Sequence, residues 1–166
     1  MVGYSNNSKY IACQSTGDIC DTINEWEWND YVGGIVGGGD YGEIISNCHV
    51  YNCTITGTED NVGGIAGAIA YENDLDHDDD VNMSGDTSMN FSGEIRAVIR
   101  DCENSGKVTV QKQNGGGIVG WQYLGLVKDS LNAADVTGSA ADYVGGVVGQ
   151  SSGYVRNNSA KCHVSG

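Results

Sequence analysis

Val32-Gly-Gly-Ile-Val-Gly37, Val62-Gly-Gly-Ile-Ala-Gly67, Gly115-Gly-Gly-Ile-Val-Gly120 and Val144-Gly-Gly-Val-Val-Gly149 are four versions of one hexapeptide, and their recurrence decides how the chain is read. They start 30, 53 and 29 residues apart, so the period is near 30 and the second unit carries an insertion at about residues 71–91. Each unit continues with an apolar pair and then a shorter apolar position: Ile44-Ile45 and Ile55, Val98-Ile99 and Val108, Leu126-Val127 and Val136, Tyr154-Val155 and Val164. Three strand-sized pieces per unit are therefore expected. The N-terminal stretch fits the same template if Val2 takes the column of Val36, with Tyr10-Ile11-Ala12-Cys13 and Gly17-Asp18-Ile19 following in phase.

The units divide the chain into a partial first coil with its link (1–29), unit one (30–59), unit two with the insertion (60–112), unit three (113–142) and unit four (143–166), all in a single repeat domain. Both ends read as cuts through a longer array or as open, stackable faces. The N-terminal residues lack the charged and apolar regions of a signal peptide, and no apolar run reaches the length of a membrane helix.

Composition agrees with strands. Ile, Leu, Val and Phe total 34 of 166 residues, and 29 of these are β-branched Val or Ile, which favour pleated sheet over helix. There are 26 Gly and no Pro, so Gly, Asn, Asp and Ser must make the turns. A net charge of -14 excludes nucleic-acid binding through a basic surface. Six Cys with no Cys-x-x-Cys spacing favour an oxidising, extracellular or cell-surface setting.

A unit of 30 residues cannot bury enough apolar surface to offset its chain entropy, so it must stack on its neighbours. Parallel coils lie about 4.8 Å apart, which places Ile35, Ile65, Ile118 and Val147 in one ladder and Val36, Ala66, Val119 and Val148 in another. The paired glycines allow corners or backbone approach that a Cβ would block. The predicted fold is all-β, a right-handed parallel β-helix (β-solenoid) of four to five coils with one acidic loop insertion. A phosphate-cradling reading of the glycine segments fails, because no Lys-Ser/Thr and no helix signal follow them.

The Gly-Gly-Ile-Val-Gly segment, followed by Gly-x-Ile/Val with Asn-Cys or a similar pair and then by Gly-x-Val-x-Gly, resembles the GLUG-type repeat of bacterial surface and secreted proteins. Such repeats occur in adhesin-like proteins and outside the catalytic part of immunoglobulin A1 metallopeptidases. The resemblance covers Val32 to Gly166 and, more weakly, Met1 to Ile19, and it implies a solenoid with no particular chemistry. The His-Glu-x-x-His zinc motif of the metallopeptidases is absent, so no catalytic residue carries over.

Three sets of residues are candidates for chemistry. Asp74, Asp76, Asp78, Asp80 and Asn82 echo the alternating oxygen ligands of a calcium loop, although Asp79 stands where the sharp turn wants Gly; the alternative is a solvated acidic loop. Cys13, Cys48 and Cys102 share a column, where coil spacing suits a disulfide. Cys13 with Cys48 is the first pairing expected and Cys20 with Cys53 the second, against an unbonded thiol ladder, and Cys162 has no partner on an adjacent coil. Asn6, Asn52, Asn82, Asn90 and Asn157 head Asn-x-Ser/Thr sequons, candidates for glycosylation or simply turn residues. Trp26, Trp28, Tyr31, Tyr41, Trp121, Tyr123 and Tyr154 cluster near turns, as sugar-stacking rings or as packing.

The expected function is a non-catalytic extracellular structural or adhesive module, self-assembling end to end into filaments. Its expected partners are other copies, flanking repeats, or host or matrix glycans; calcium is the one candidate cofactor. The alternative is a carbohydrate-binding or polysaccharide-acting β-helix, which rests on fold analogy.

Overall fold

The computed structural model describes residues 2–5, 8–21, 30–40, 42–70 and 97–166. These residues form five coils of short strands. The first coil holds β1 (Val2–Ser5), β2 (Lys9–Ile11), β3 (Gln14–Ser15) and β4 (Ile19–Cys20). The second holds β5 (Val32–Gly33), β6 (Val36–Gly39), β7 (Ile44–Ser46), β8 (His49–Val50) and β9 (Thr54–Gly57). The third holds β10 (Val62–Gly63), β11 (Ala66–Ile69), β12 (Val98–Arg100), β13 (Glu103–Asn104) and β14 (Lys107–Val110). The fourth runs through β15 (Gly115–Gly116), β16 (Val119–Gln122), β17 (Leu126–Lys128), β18 (Leu131–Asn132) and β19 (Val136–Gly138). The fifth runs through β20 (Val144–Gly145), β21 (Val148–Ser151), β22 (Tyr154–Arg156), β23 (Ser159–Ala160) and β24 (Val164–Ser165).

Each strand pairs in parallel with its equivalent one coil away, giving five sheets, of which β1-β6-β11-β16-β21 and β2-β7-β12-β17-β22 are two. The molecule is a parallel β-helix. The register is the one the repeats predict: Val2 opposes Val36, Val36 opposes Ala66, Ala66 opposes Val119 and Val119 opposes Val148. Tyr10 falls opposite Ile45 and Ile19 opposite Ile55, so the N-terminal stretch is in phase as expected. Among the described residues no helix is long and apolar enough to cross a membrane.

Each coil from the second on has five strands rather than three. The two additional pieces are two-residue bridges, such as Val32–Gly33 and His49–Val50, too short to show an apolar period in the sequence. The corner between the sheet that contains β2 and the sheet that contains β3 uses one left-handed residue per coil, at Ala12, Asn47, Asp101, Asp129 and Asn157, with φ between 50° and 55°. Four of these five are Asn or Asp, the side chains that best tolerate that region.

The interior is aliphatic along three sheets, with Ile45, Ile99 and Val127 stacked in one column and Ile55, Val108 and Val136 in another, all fully buried. The fifth coil has no coil beyond it in this chain, and its core positions open accordingly: Val155 is 44% and Val164 39% exposed. The second glycine of each pair faces the column Val50, Asn104, Asn132, Ala160 across the interior. A Cβ on Gly117 would lie 2.1 Å from Asn132 Nδ2, and one on Gly64 would lie 2.4 Å from the Asn104 side chain.

Candidate functional site

The most unusual chemistry lies at the corner between β6 and β7, where Asp40 and Glu43 are both fully buried. The chain turns between them through Gly42, whose φ of 77° suits glycine. Tyr4 Oη donates to Asp40 Oδ2 at 3.1 Å. Ser5 Oγ at 2.9 Å and Ser8 N at 3.2 Å both donate to Glu43 Oε1. The other two carboxylate oxygens, Asp40 Oδ1 and Glu43 Oε2, are buried with no hydrogen-bond partner. Burial pushes Glu43 up to about 7, against the pull of the Ser5 and Ser8 hydrogen bonds and with added repulsion from Asp40.

The equivalent corner of the fourth coil is filled without charge. Gln122 Nε2 donates to Gly125 O at 3.0 Å and to Tyr154 O at 3.2 Å, and Gln122 Oε1 accepts from Ser151 Oγ at 2.9 Å. Gln122 is level with Gly39 of the second coil, and the fourth-coil residues level with Asp40 and Glu43 are Tyr123 and Gly125. In the third coil the same corner is the root of the insertion: Ala70 follows the Ile69–Gly39 pair and so lies level with Asp40, while Ala97 precedes the Val98–Ile44 pair and lies level with Glu43.

The calcium candidates Asp74, Asp76, Asp78, Asp80 and Asn82 lie outside the described residues, as do Asn6, Asn90, Trp26, Trp28 and Tyr41. Among the described residues no group of three or more His, Cys, Asp or Glu side chains could hold a metal ion. Asn52 and Asn157 are both exposed, with φ of 53° and 54°, on turns open to solvent.

The six cysteines are free thiols in the structure. Cys13, Cys48 and Cys102 do share a column, directly before the pairs Gln14–His49 and His49–Glu103, and the column continues through Ser130 and Asn158. Its chemistry explains why Cys is replaceable there. Cys102 Sγ accepts from Cys48 N at 3.5 Å, Ser130 Oγ accepts from Cys102 N at 3.2 Å, and Asn158 Oδ1 accepts from Ser130 N at 2.9 Å. The same side chains donate backward, Cys102 to Arg100 O, Ser130 to Lys128 O and Asn158 to Val127 O. Thiol, hydroxyl and amide each supply a short donor and acceptor that ties one coil to the next.

Cys20 falls opposite Thr56, three places out of register with Cys53, so the structure does not bring Cys20 and Cys53 into one column. Cys53 instead stacks over Gly106, where a Cβ would come within 2.5 Å of its sulfur; burial, and then Asp18, push its thiol pKa up. Cys162 shares that column but is separated from Cys53 by Gly106 and Ala134.

Of the aromatic candidates, Trp121 and Tyr123 meet edge to face at 5.7 Å. Tyr154, 47% exposed, lines a cleft of about 370 Å³ with Leu124, Ser152 and Gly153. Sequence reasoning missed the register of Arg100, Lys128 and Arg156, three cations stacked on successive coils of an acidic chain. It also missed Asp40 and Glu43. The available signal for the acids was their place in the repeat, since aligned positions in the third coil are alanines.

Comparison with known proteins returns no match: no family model, no curated protein and no solved structure is similar to this chain.

Proposed function

We propose that this chain is a non-catalytic structural or adhesive β-solenoid module of the GLUG-repeat type, working outside the cell and associating coil on coil with flanking repeats or with copies of itself. The observation that supports the reading is the in-register parallel stacking of equivalent strands through five coils, in which each coil buries its aliphatic side chains against its neighbours. The cysteine column supports an oxidising setting, with Cys13 and Cys48 stacked where one bond would staple the first coil to the second.

Electron microscopy with light scattering on the purified chain tests the association. Filaments or concentration-dependent growth are expected, and discrete monomers at every concentration would remove self-assembly and leave a stalk or binding segment.

A second reading, carbohydrate binding, is favoured by the exposed Tyr154 beside its cleft and by the Trp121–Tyr123 pair on the preceding coil. Glycan-array binding that Tyr154→Ala abolishes would support it.

A further inference from the structure

We propose that Cys13, Cys48 and Cys102 form a thiol–disulfide relay, in which Cys13 takes up oxidation from a small-molecule disulfide and exchange through Cys48 carries the bond inward to Cys48–Cys102. The relay rests on the oxidising setting proposed above and goes beyond a fixed Cys13–Cys48 staple.

The three residues are level on successive coils, because the residues that follow them, Gln14, His49 and Glu103, are register partners. A coil spacing of about 4.8 Å lies within the usual Cα separation of a disulfide, so Cys48 has a bonding partner on either side. The side chains also share one orientation. Each sulfur donates to the carbonyl two residues back on its own coil: Cys13 to Ile11 O at 3.8 Å, Cys48 to Ser46 O at 3.4 Å and Cys102 to Arg100 O at 3.1 Å. Cys48 and Cys102 each face a carbonyl of the preceding coil as well, Tyr10 O at 3.4 Å and Ile45 O at 3.7 Å. Like orientation on level residues sets the sulfurs in a row along the solenoid axis. Exchange needs that arrangement, since a thiolate displaces one sulfur from another by attacking opposite the bond that breaks.

Exposure is graded along the row. Cys13 is half-buried, whereas Cys48 and Cys102 are 0% and 2% exposed, so a reagent in solvent meets Cys13 first. Cys48 is the ready nucleophile behind it. Hydrogen bonds from the Cys102 thiol, and then from the N–H and thiol of Cys13, hold Cys48 at about 6 against the opposing effect of burial. Cys102 is raised by the same shared hydrogen bond and then by burial.

The electrons go to the small disulfide, RSSR. The Cys13 thiolate attacks it, forms a mixed Cys13–SR disulfide and expels RS⁻. The Cys48 thiolate attacks the Cys13 sulfur, forms Cys13–Cys48 and expels the second RS⁻. The Cys102 thiolate then attacks the Cys48 sulfur, forms Cys48–Cys102 and returns Cys13 as a thiolate. In sum Cys48 and Cys102 give up two electrons and two protons, and RSSR becomes two RSH. The second step prepares the third, because Cys48 bonded to Cys13 no longer holds the Cys102 proton. The inner bond persists because both of its sulfurs are buried, while Cys13–Cys48 stays open to reductants at half-buried Cys13. Cys48 and Cys102 are 54 residues apart and flank the insertion in sequence, so the inner bond ties the second coil to the third across it.

The test uses the full chain with Cys20, Cys53 and Cys162 changed to Ser, exposed to oxidised glutathione under native conditions, quenched in acid, alkylated and mapped by mass spectrometry after trypsin. Cleavage after Arg100 separates the Cys102 peptide from that of Cys48 unless the two are bonded. Cys13–Cys48 is expected first, with Cys48–Cys102 replacing it. Cys13→Ser should slow formation of Cys48–Cys102 at least tenfold, Cys48→Ser should leave Cys13 as its glutathione mixed disulfide, and Cys102→Ser should stop at Cys13–Cys48. Ser130 already holds this column in the fourth coil, so Ser suits the position, and the time course of the three-cysteine chain is decisive without the variants. Cys48–Cys102 forming equally fast in Cys13→Ser, or appearing ahead of Cys13–Cys48, would overturn the relay. Cys13–Cys48 as the final product would overturn it too and leave the staple standing, whereas no bond anywhere in the column would remove both.

Discussion

Asn104 and Asn132 occupy the same interior position on successive coils, and Asn104 Nδ2 donates to Asn132 Oδ1 across 3.0 Å in the middle of an aliphatic core. Each also closes a ring on its own strand. Asn104 bonds both N and O of Gly106, and Asn132 bonds both N and O of Ala134 while reaching Gly146 O at 2.9 Å. Every donor and acceptor of the two amides is therefore used, which is what makes a buried polar ladder tolerable. The adjoining coils place Val50 and Ala160 in that column, so an aliphatic side chain fits the space. Asn132→Val nevertheless strands the backbone groups of Ala134 and Gly146 and one hydrogen of Asn104. Denaturant unfolding should show a loss of about 1–3 kcal/mol.

The glycine pairs make a sharper prediction. Gly117→Ala would put a Cβ 2.1 Å from Asn132 Nδ2 and 2.2 Å from Gly146 O, one of them rigid backbone, whereas a Cβ on Gly3 meets nothing within 4 Å. Gly117→Ala should cost about 3 kcal/mol or more, or prevent folding, because the coils cannot separate without breaking the ladder bonds around them. Gly3→Ala should fall within about 0.5 kcal/mol of the unmodified protein. Thermal melts of the two variants, measured side by side, check the contrast.

The cysteine column separates hydrogen bonding from bulk. Ser130 does in the fourth coil what Cys102 does in the third, so Cys102→Ser should cost about 1 kcal/mol or less, while Cys102→Val leaves Cys48 N buried without an acceptor and should cost about 1–3 kcal/mol. Under reducing conditions an alkylating reagent should label exposed Cys20 in the native protein and reach Cys48 and Cys102 only after unfolding. Equal labelling rates for all three would contradict the packing.

These relationships show where the sequence was legible. The hexapeptide repeats gave the register of every coil because like residues must stack, and Val2 against Val36 or Tyr10 against Ile45 follows from that requirement alone. Shared columns were visible too, including Cys13, Cys48 and Cys102. What each column does was not visible. The reason Ser130 and Asn158 can follow cysteines is a backbone hydrogen bond at a left-handed corner, and no composition or period encodes it. Asp40 and Glu43 escaped for a related reason: acids beside glycines read as a solvated turn, and only the path of the chain shows that this turn points inward. The two-residue bridges such as His49–Val50 are shorter than one period of alternation, so no pattern in the sequence could reveal them.

Glu43 also gives the fold a pH dependence whose sign follows from its burial. In the native protein the group is raised to about 7, against an ordinary value of 4.5. Between those values the folded chain holds a proton that the unfolded chain has released, so stability falls as pH rises. The contribution is complete below about 4.5 and is lost as pH climbs through about 7. A shift of this size corresponds to roughly 3 kcal/mol. Chemical unfolding with a chelator present, followed from pH 4.5 to pH 8, should show that decline, and Glu43→Gln should flatten it because the amide carries no proton to lose. Partial unfolding is expected to begin at the first coil, since Ser5 and Ser8 donate to the oxygen of the very carboxylate that becomes charged without a counter-ion. A protection factor at Ser8 N, taken relative to the intrinsic base-catalysed rate, that falls at high pH in the unmodified chain and not in Glu43→Gln would place the effect at this corner; an identical pH profile in both proteins would show that Glu43 is not its source.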